Sequence, residues 1–434
     1  MTATARILDF AAAAHRLGPS VADDTRRLVA DTLAVAAAGT AAPGYEGVLG
    51  VARQWGTGSE ARLVGRADRL PAGAAAYVNC FAAHALEWDA VHEGAVVHAM
   101  TAVVPAVMAV LDRRAANGLP RTEEADVLAA IAVGVDVAAG LGLAATSALS
   151  FFRPAVTGIY GAALAVARIE GLPQAMFADV LGMAHAHAAG TMQAHTEGSI
   201  ALPLQFANAA RSAVHAVDLV RHGLTAAHDV LDGPFGHFSL FDRGTAATYA
   251  DRIGTPWLIG EISTKPFPSG RASHAALAAL RPFAGQDVAA VEVQVPPLIG
   301  HLVGRVAHAG MAASHARLCL PFLAAMMLRD GAIDPLRFDP AGLSDAALLA
   351  LAERVTVVVD GNPDPNAMSP QRVIVTMADG TIHDIAVPAT LGSPKAPLDP
   401  AAQQAKRDQC RALAPDATDP RLFAAPIDYL LDLT

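Results

Sequence analysis

Apolar positions recur at helical spacing through roughly the first 260 residues. Ser20 and Asp23 stand just ahead of Leu28, Val29, Leu33 and Val35, a polar start followed by an apolar helical repeat, and Gly39 closes the run. Alanine-rich runs of the same kind cover 71–86, 102–117, 123–149, 160–170, 178–189 and 204–222, with almost no strand pattern among them. The texture changes near Thr264. Val288–Val295 alternates apolar and polar, Val355–Val359 is a β-branched run, and 372–377 and 381–387 flank the turn Ala378-Asp379-Gly380. Helical runs at 315–329 and 344–354 lie among these strands, and the chain returns to helix at 401–412. The pattern predicts a mainly α protein: a large all-helical domain over 1–264, a smaller α+β lid domain over 265–395, and a segment over 396–434 that rejoins the first. A chain of 434 residues also exceeds what one core usually organises.

Composition narrows the class. With 53% hydrophobic and 17% charged residues, the chain has ample material for a large core. A net charge of −10 and the lack of a basic stripe argue against a nucleic-acid partner. Cys80, Cys319 and Cys410 are far apart and form no CxxC pair, which fits a reduced, cytoplasmic protein without a disulfide frame. No leader pattern is seen at Met1–Arg16. The apolar stretch 127–149 is interrupted by Asp136, so a buried helix is expected there and no membrane span.

Two stretches carry candidate chemistry. Residues 79–105 hold His84, His92, His98, Glu87, Asp89 and Glu93. A helix is expected to run to Trp88, sharing one face with His84, before a polar loop over 89–98. A carboxylate beside a histidine fixes its tautomer and tunes its proton affinity, which suits acid/base work near neutral pH. The plain alternative is a solvated turn with a satisfied core histidine. The second stretch is 263–274, Ser-Thr-Lys-Pro-Phe-Pro-Ser-Gly-Arg-Ala-Ser-His. Lys265, Lys395 and Lys406 are the lysines, and the other 28 of 31 basic residues are arginine. A lysine at a Pro-flanked bend can lose its proton when desolvated, so Lys265 is a candidate proton-transfer group or carboxylate clamp; a hinge lysine is the alternative. Arg271 offers a guanidinium fork for a carboxylate. His185, His187 and His195 lack the spacing of a metal site, because His-x-His points to different helix faces. His301, His308 and His315 recur every seven residues and read as one helical face. Gly140-Leu141-Gly142 lies within a helical run, and neither a phosphate loop nor a nucleophile elbow is present.

Taken jointly, several motifs resemble the MmgE/PrpD family. They are Asp31-Thr32-Leu33-Ala34, Asn79, His84–Asp89 with His98, the Gly/Ala-rich run 158–172, Thr264–His274, and Cys319-Leu320-Pro321-Phe322. The resemblance implies a helical domain with an α+β lid, a homodimer, no organic cofactor and no metal. It implies action on a small di- or tricarboxylic acid by proton abstraction next to a carboxylate, as a dehydratase or decarboxylase, with an epimerase or isomerase or a non-catalytic member as alternatives. By matching position, Asp89, His98, Lys265 and His274 would be catalytic. Arg271, Ser269, Tyr160, His84, Asn79 and Gln205 would bind the acid. The chain departs from the family pattern at Val91, Leu202, Gln205 and Phe322, each of which removes a polar donor from the expected site.

Overall fold

The computed structural model describes residues 1–431. Its helical part is built from α1 (Ala3–Ala12), α2 (Pro19–Gly39), α3 (Tyr45–Ala52), α4 (Ala72–Ala85), α5 (Ala99–Ala116), α6 (Glu124–Leu143), α7 (Arg153–Ile169), α8 (Phe177–Ala186), α9 (Gln193–Glu197) and α10 (Ala201–Arg221). Helices α4, α5, α6, α7 and α10 pack on one another at the centre. Helix α6 is long and apolar enough to cross a membrane, yet 89% of its most apolar window is buried inside the fold. A helix apolar on every side is a core helix when neighbours enclose it. Small residues make that enclosure close: a Cβ on Gly161 would lie 2.1 Å from the Gly134 carbonyl oxygen, so α6 and α7 cross almost backbone to backbone. The polar break in this run, Asp136, is buried and accepts hydrogen bonds from Tyr249 Oη (2.8 Å) and the Leu258 backbone N–H (2.9 Å), which anchors the chain leaving the helical part.

The smaller part holds a mixed sheet of β3 (Val288–Val295), β4 (Val355–Val359), β5 (Gln371–Met377) and β6 (Ile382–Val387) in the order β4-β3-β5-β6. Strand β3 pairs parallel with β4 and antiparallel with β5, and β5 pairs antiparallel with β6. The parallel pair needs a crossover, which the helices Pro297–Val303, Leu320–Asp330 and Ala346–Ala352 supply. Val291, Val293 and Val295 turn into a second core with Phe322, Leu323 and Met326. A two-stranded ribbon, β1 (Ala61–Arg62) with β2 (Arg69–Leu70), lies apart in the helical part. Helix Pro400–Leu413 returns to α2, where the buried Lys406 meets Asp31 at 2.6 Å. The two parts are also joined by the buried Arg153, which pairs with Asp242 at 2.9 Å and donates to Asn366 Oδ1 at 3.1 Å.

The large helical body and the α+β part are both present, with several local differences from expectation. Helix α2 starts at Pro19 behind Gly18, so Pro at the first turn is the start signal and Ser20 and Asp23 lie inside it. Helix α7 begins at Arg153, again with Pro154 in its first turn, seven residues before the periodicity suggested. The run 123–149 ends as helix at Leu143, and 144–152 form a loop bridged to Gly244. The run 315–329 divides into Ala313–Ala316 and Leu320–Asp330, because Cys319, preceding Leu320-Pro321, is extended. His301, His308 and His315 consequently do not share a helical face: His308 lies in irregular chain. Helix α1 and the β1–β2 ribbon were not anticipated.

Candidate active site

Helix α4 stops at Ala85, so Trp88 is not on its face. Leu86 leaves the helical region and Glu87 takes φ +54°, a left-handed turn rare for a side chain of that kind. This turn folds residues 87–89 back over the helix end. The chain then pairs through Val91 with Ser263 in a two-way backbone bridge, which draws the segment carrying Lys265 alongside. A tight reversal, bridged His92 to Val97, leads into α5 with His98 at its cap position. Val96 within that reversal also sits at φ +54°, which for a β-branched residue costs about 1–3 kcal/mol.

Asp89 is the hub. Its Oδ2 accepts from His84 Nδ1 (3.0 Å), His98 Nδ1 (2.9 Å) and Thr101 Oγ1, all in the buried interior or at its edge. Its Oδ1 lies 3.4 Å from Lys265 Nζ, which also donates to the Glu87 carbonyl (2.9 Å) and to Glu87 Oε2 (3.2 Å). His84 Nε2 lies 3.1 Å from Glu87 Oε1, too poorly angled for a hydrogen bond. These surroundings drive the two imidazoles apart. Burial works against a charged His84, but Asp89 and Glu87 outweigh it and raise its pKa to about 9. His98 is also buried, and the positive charges of Lys265 and His84 join burial in outweighing Asp89, so its pKa is lowered. Both carboxyls, despite burial, are held well below their usual range by His84 and Lys265. At neutral pH the site therefore has an imidazolium at His84 and a neutral His98 whose Nδ1–H is fixed on Asp89, leaving the Nε2 lone pair free.

Both histidines line a cleft of about 610 Å³, counting its open mouth, together with Glu87, Glu93, His195 and Arg271. Much of the remaining wall is apolar, including Phe152, Met192, Leu202, Leu302 and Leu318. Arg271 reaches the cleft but is forked onto Glu93 at 2.7 and 2.9 Å. The other residues singled out in the sequence take different places. Lys265 is fully enclosed behind the Asp89 turn and does not face the cleft, and all three of its N–H groups have acceptors. His274 and Ser269 are buried together, His274 Nε2 lying 3.1 Å from Ser269 Oγ, outside the cleft wall. Burial, with Arg271 and Lys265, lowers the His274 pKa well below its ordinary value. Asn79 ties the Val64 N–H (2.8 Å) to the Arg62 carbonyl (3.0 Å), Tyr160 Oη meets His185 Nδ1 (2.8 Å), and Gln205 Oε1 accepts from the Thr191 N–H. None of these three lines the cleft.

Three contributors escaped the sequence reading. Thr101 lies one turn into α5 from His98 and had no distinguishing signal. Glu87 was visible as a charge but not as the lysine's partner. His195 was weighed as a metal ligand and not as a cleft residue. As for metals, the ligand atoms of His84, Asp89 and His98 do come within 4.8 Å of one another. A divalent ion there would displace the hydrogens shared with Asp89 and stand beside the Lys265 ammonium, so the donor set is better matched to a proton relay.

Comparison with known proteins assigns the chain to a family. The MmgE/PrpD N-terminal domain matches residues 6–250 and the MmgE/PrpD C-terminal domain matches residues 267–421. The chain is 27% identical over 258 residues to cis-aconitate decarboxylase of Mus musculus, covering 58% of this chain and 52% of that protein. It is 28% identical over 281 residues to the Homo sapiens enzyme of that name, covering 61% and 56%. A cis-aconitate decarboxylase-like protein, oryM, of Aspergillus oryzae is 24% identical over 390 residues, 82% of this chain and 78% of that one. The matched stretch spans about half the length of the mouse and human proteins. Since the two domain matches together run through nearly the whole chain, it belongs to the MmgE/PrpD family.

Proposed function

We propose that the protein is a lyase of the dehydratase or decarboxylase type that acts on a small carboxylic acid without an organic cofactor. The observation that carries this reading is the pair of imidazoles bridged by Asp89, one neutral and one protonated, both facing a single cleft. Two titratable groups pushed apart in pKa are suited to the roles of base and acid. In a dehydration, His98 Nε2 takes the proton from the carbon beside the carboxylate. The C–H electron pair forms the double bond, the C–O bond breaks, and the hydroxyl leaves as water with a proton from His84. In a decarboxylation, the C–C pair stays on carbon, carbon dioxide leaves, and an imidazolium supplies the proton. Either course builds negative charge beside the carboxylate, which the His84 imidazolium and the Lys265 ammonium behind it stabilise in a largely dry site. The curated relatives, whose names state cis-aconitate decarboxylation, support the lyase class.

The test is proton NMR of the protein with a panel of small acids in deuterated water. Release of water or carbon dioxide from one acid is expected, with His98→Gln slowing it about 10²–10⁴-fold. Deuterium entering recovered substrate without any loss of water or carbon dioxide would replace this reading with an epimerase, and no reaction across the panel would remove it.

A further inference from the structure

Most cations around the cleft have carboxylate neighbours: Lys265 and His84 stand beside Glu87 and Asp89, and Arg271 is forked onto Glu93. The His84 Nε2–H nevertheless has no hydrogen-bond partner among the described residues, which leaves it for the reacting end of a bound acid. Arg305 is different. It pairs with no carboxylate among the described residues, and its Nη1 is buried without an acceptor. Arg317 also lacks a carboxylate there, but it donates to the Leu86 and Pro268 carbonyls, lies over the Phe338 ring and is not part of the cleft wall.

Arg305 acts on the cleft through His195. It follows the helix Pro297–Val303, whose Leu302 and Val303 line the cleft, and Cys319 Sγ donates to its carbonyl at 3.3 Å. Its side chain crosses to the helical part, where Nη2 donates to His195 Nδ1 at 3.0 Å and also to the His195 carbonyl. A guanidinium has donors and no acceptor, so His195 Nδ1 accepts and the ring proton is on Nε2. Burial, with Arg305 beside it, lowers the His195 pKa to about 3, and the ring stays neutral. The ring lines the cleft, and its Nε2–H has no hydrogen-bond partner among the described residues. This makes an N–H donor with an unpaired positive charge directly behind it. His84 and Glu87 are near enough for their charges to act on His195, so a short molecule reaches both ends.

We propose that His195, backed by Arg305, binds a second carboxylate, and that the substrate is accordingly a short dicarboxylic acid. One carboxylate lies at the reacting end, by His84 and His98. The other accepts from His195 Nε2–H, and the Arg305 charge offsets the cost of taking it out of water. The carbon chain between them suits the apolar wall of Phe152, Met192 and Leu202. The inference rests on the lyase reading only for which end of the molecule reacts.

The experiment is calorimetric titration of the full chain with two matched pairs of acids, 2-methylsuccinate against 2-methylbutanoate and 2-methylglutarate against 2-methylpentanoate. Within each pair a methyl group replaces one carboxylate. In at least one pair the dicarboxylate should bind at least about tenfold more tightly. Arg305→Gln, which can still donate to His195 Nδ1 but carries no charge, should remove most of that preference, and Arg305→Lys should keep part of it. No preference in either pair, or a preference that survives Arg305→Gln, overturns the proposal. Nitrogen-15 NMR of the unsubstituted protein is independent of how the variants fold. The resting ring should carry its proton on Nε2, and the preferred dicarboxylate should shift that signal; a proton on Nδ1, or binding that leaves the signal in place, overturns the assignment. A dicarboxylate preference that depends on Arg305, without turnover of any acid, would remove the lyase reading and leave this one standing. Release of water or carbon dioxide from an acid with no such preference would do the reverse.

Discussion

Asp89 holds two imidazoles on one oxygen, and the charges around them decide which keeps a second proton. Turnover should therefore follow a bell. It rises as His98 deprotonates, at a pH below its ordinary 6.5, and falls through about 9 as His84 loses its proton. A single-limbed profile that is flat through pH 9 would rule out His84 as the acid. The same residue affects stability. Its folded pKa lies above its ordinary value, so its ion pairing stabilises fully below about 6.5 and is lost as pH rises through about 9. Thermal melts should drop across that window, and His84→Gln should flatten the drop. Asp89→Asn keeps the shape but leaves both rings without their anion, and kcat should fall about 10²–10⁴-fold with a smaller change in KM. At this scale the sequence was informative about His84, Asp89 and His98, which lie within fifteen residues of one another. It singled out Lys265 but did not place it behind the Asp89 turn, outside the cleft wall. Its scarcity among the basic residues and its Pro-flanked position marked it as special, but the partner that encloses it, Glu87, owes its orientation to a left-handed turn that no local pattern announces.

Among the elements, the crossing of α6 and α7 is the most sharply constrained. Gly161→Ala would drive a methyl into the Gly134 carbonyl, and the helices would have to separate, at about 1–3 kcal/mol. Gly158→Ala, three residues away on the same helix, meets only the Ala102 Cβ at 3.4 Å and should gain up to about 1 kcal/mol from helix propensity. Chemical denaturation of the two variants checks the contrast; equal effects would mean the helices do not cross so closely. Periodicity revealed the existence of these helices well, because their apolar faces are long. Their starts were less legible. Pro19 and Pro154 were not used as start signals, yet proline is at ease in a helix's first turn, where its missing N–H has no intrahelical partner. Strands β3 and β4 were legible to the residue because alternation and β-branching both end sharply at Pro296 and Asp360.

In the whole molecule, the site depends on stretches distant in the chain. Lys406 pairs with Asp31 at 2.6 Å and donates to the Trp88 carbonyl at 3.1 Å, one residue from Asp89, so the late helix braces the reactive turn from behind. Lys406→Met would leave Asp31 buried without its partner. A loss of about 3–5 kcal/mol is expected in urea denaturation, with lower kcat in the fraction that remains folded. The helix after residue 396 was legible from its spacing, but its contact with Trp88 was not, since nothing in either segment encodes the distance between them.

The dependence of residues 87–89 on both Lys265 and Lys406 has a consequence for biosynthesis. Translation produces the two imidazoles early, by residue 98, yet Lys265, whose charge helps keep His98 neutral, and Lys406, which braces the Trp88 carbonyl, arrive much later. A partly synthesised chain thus holds residues 87–89 without the two lysines that fix their turn, and the contrast between the imidazoles is complete only after both later segments have been made and packed against it.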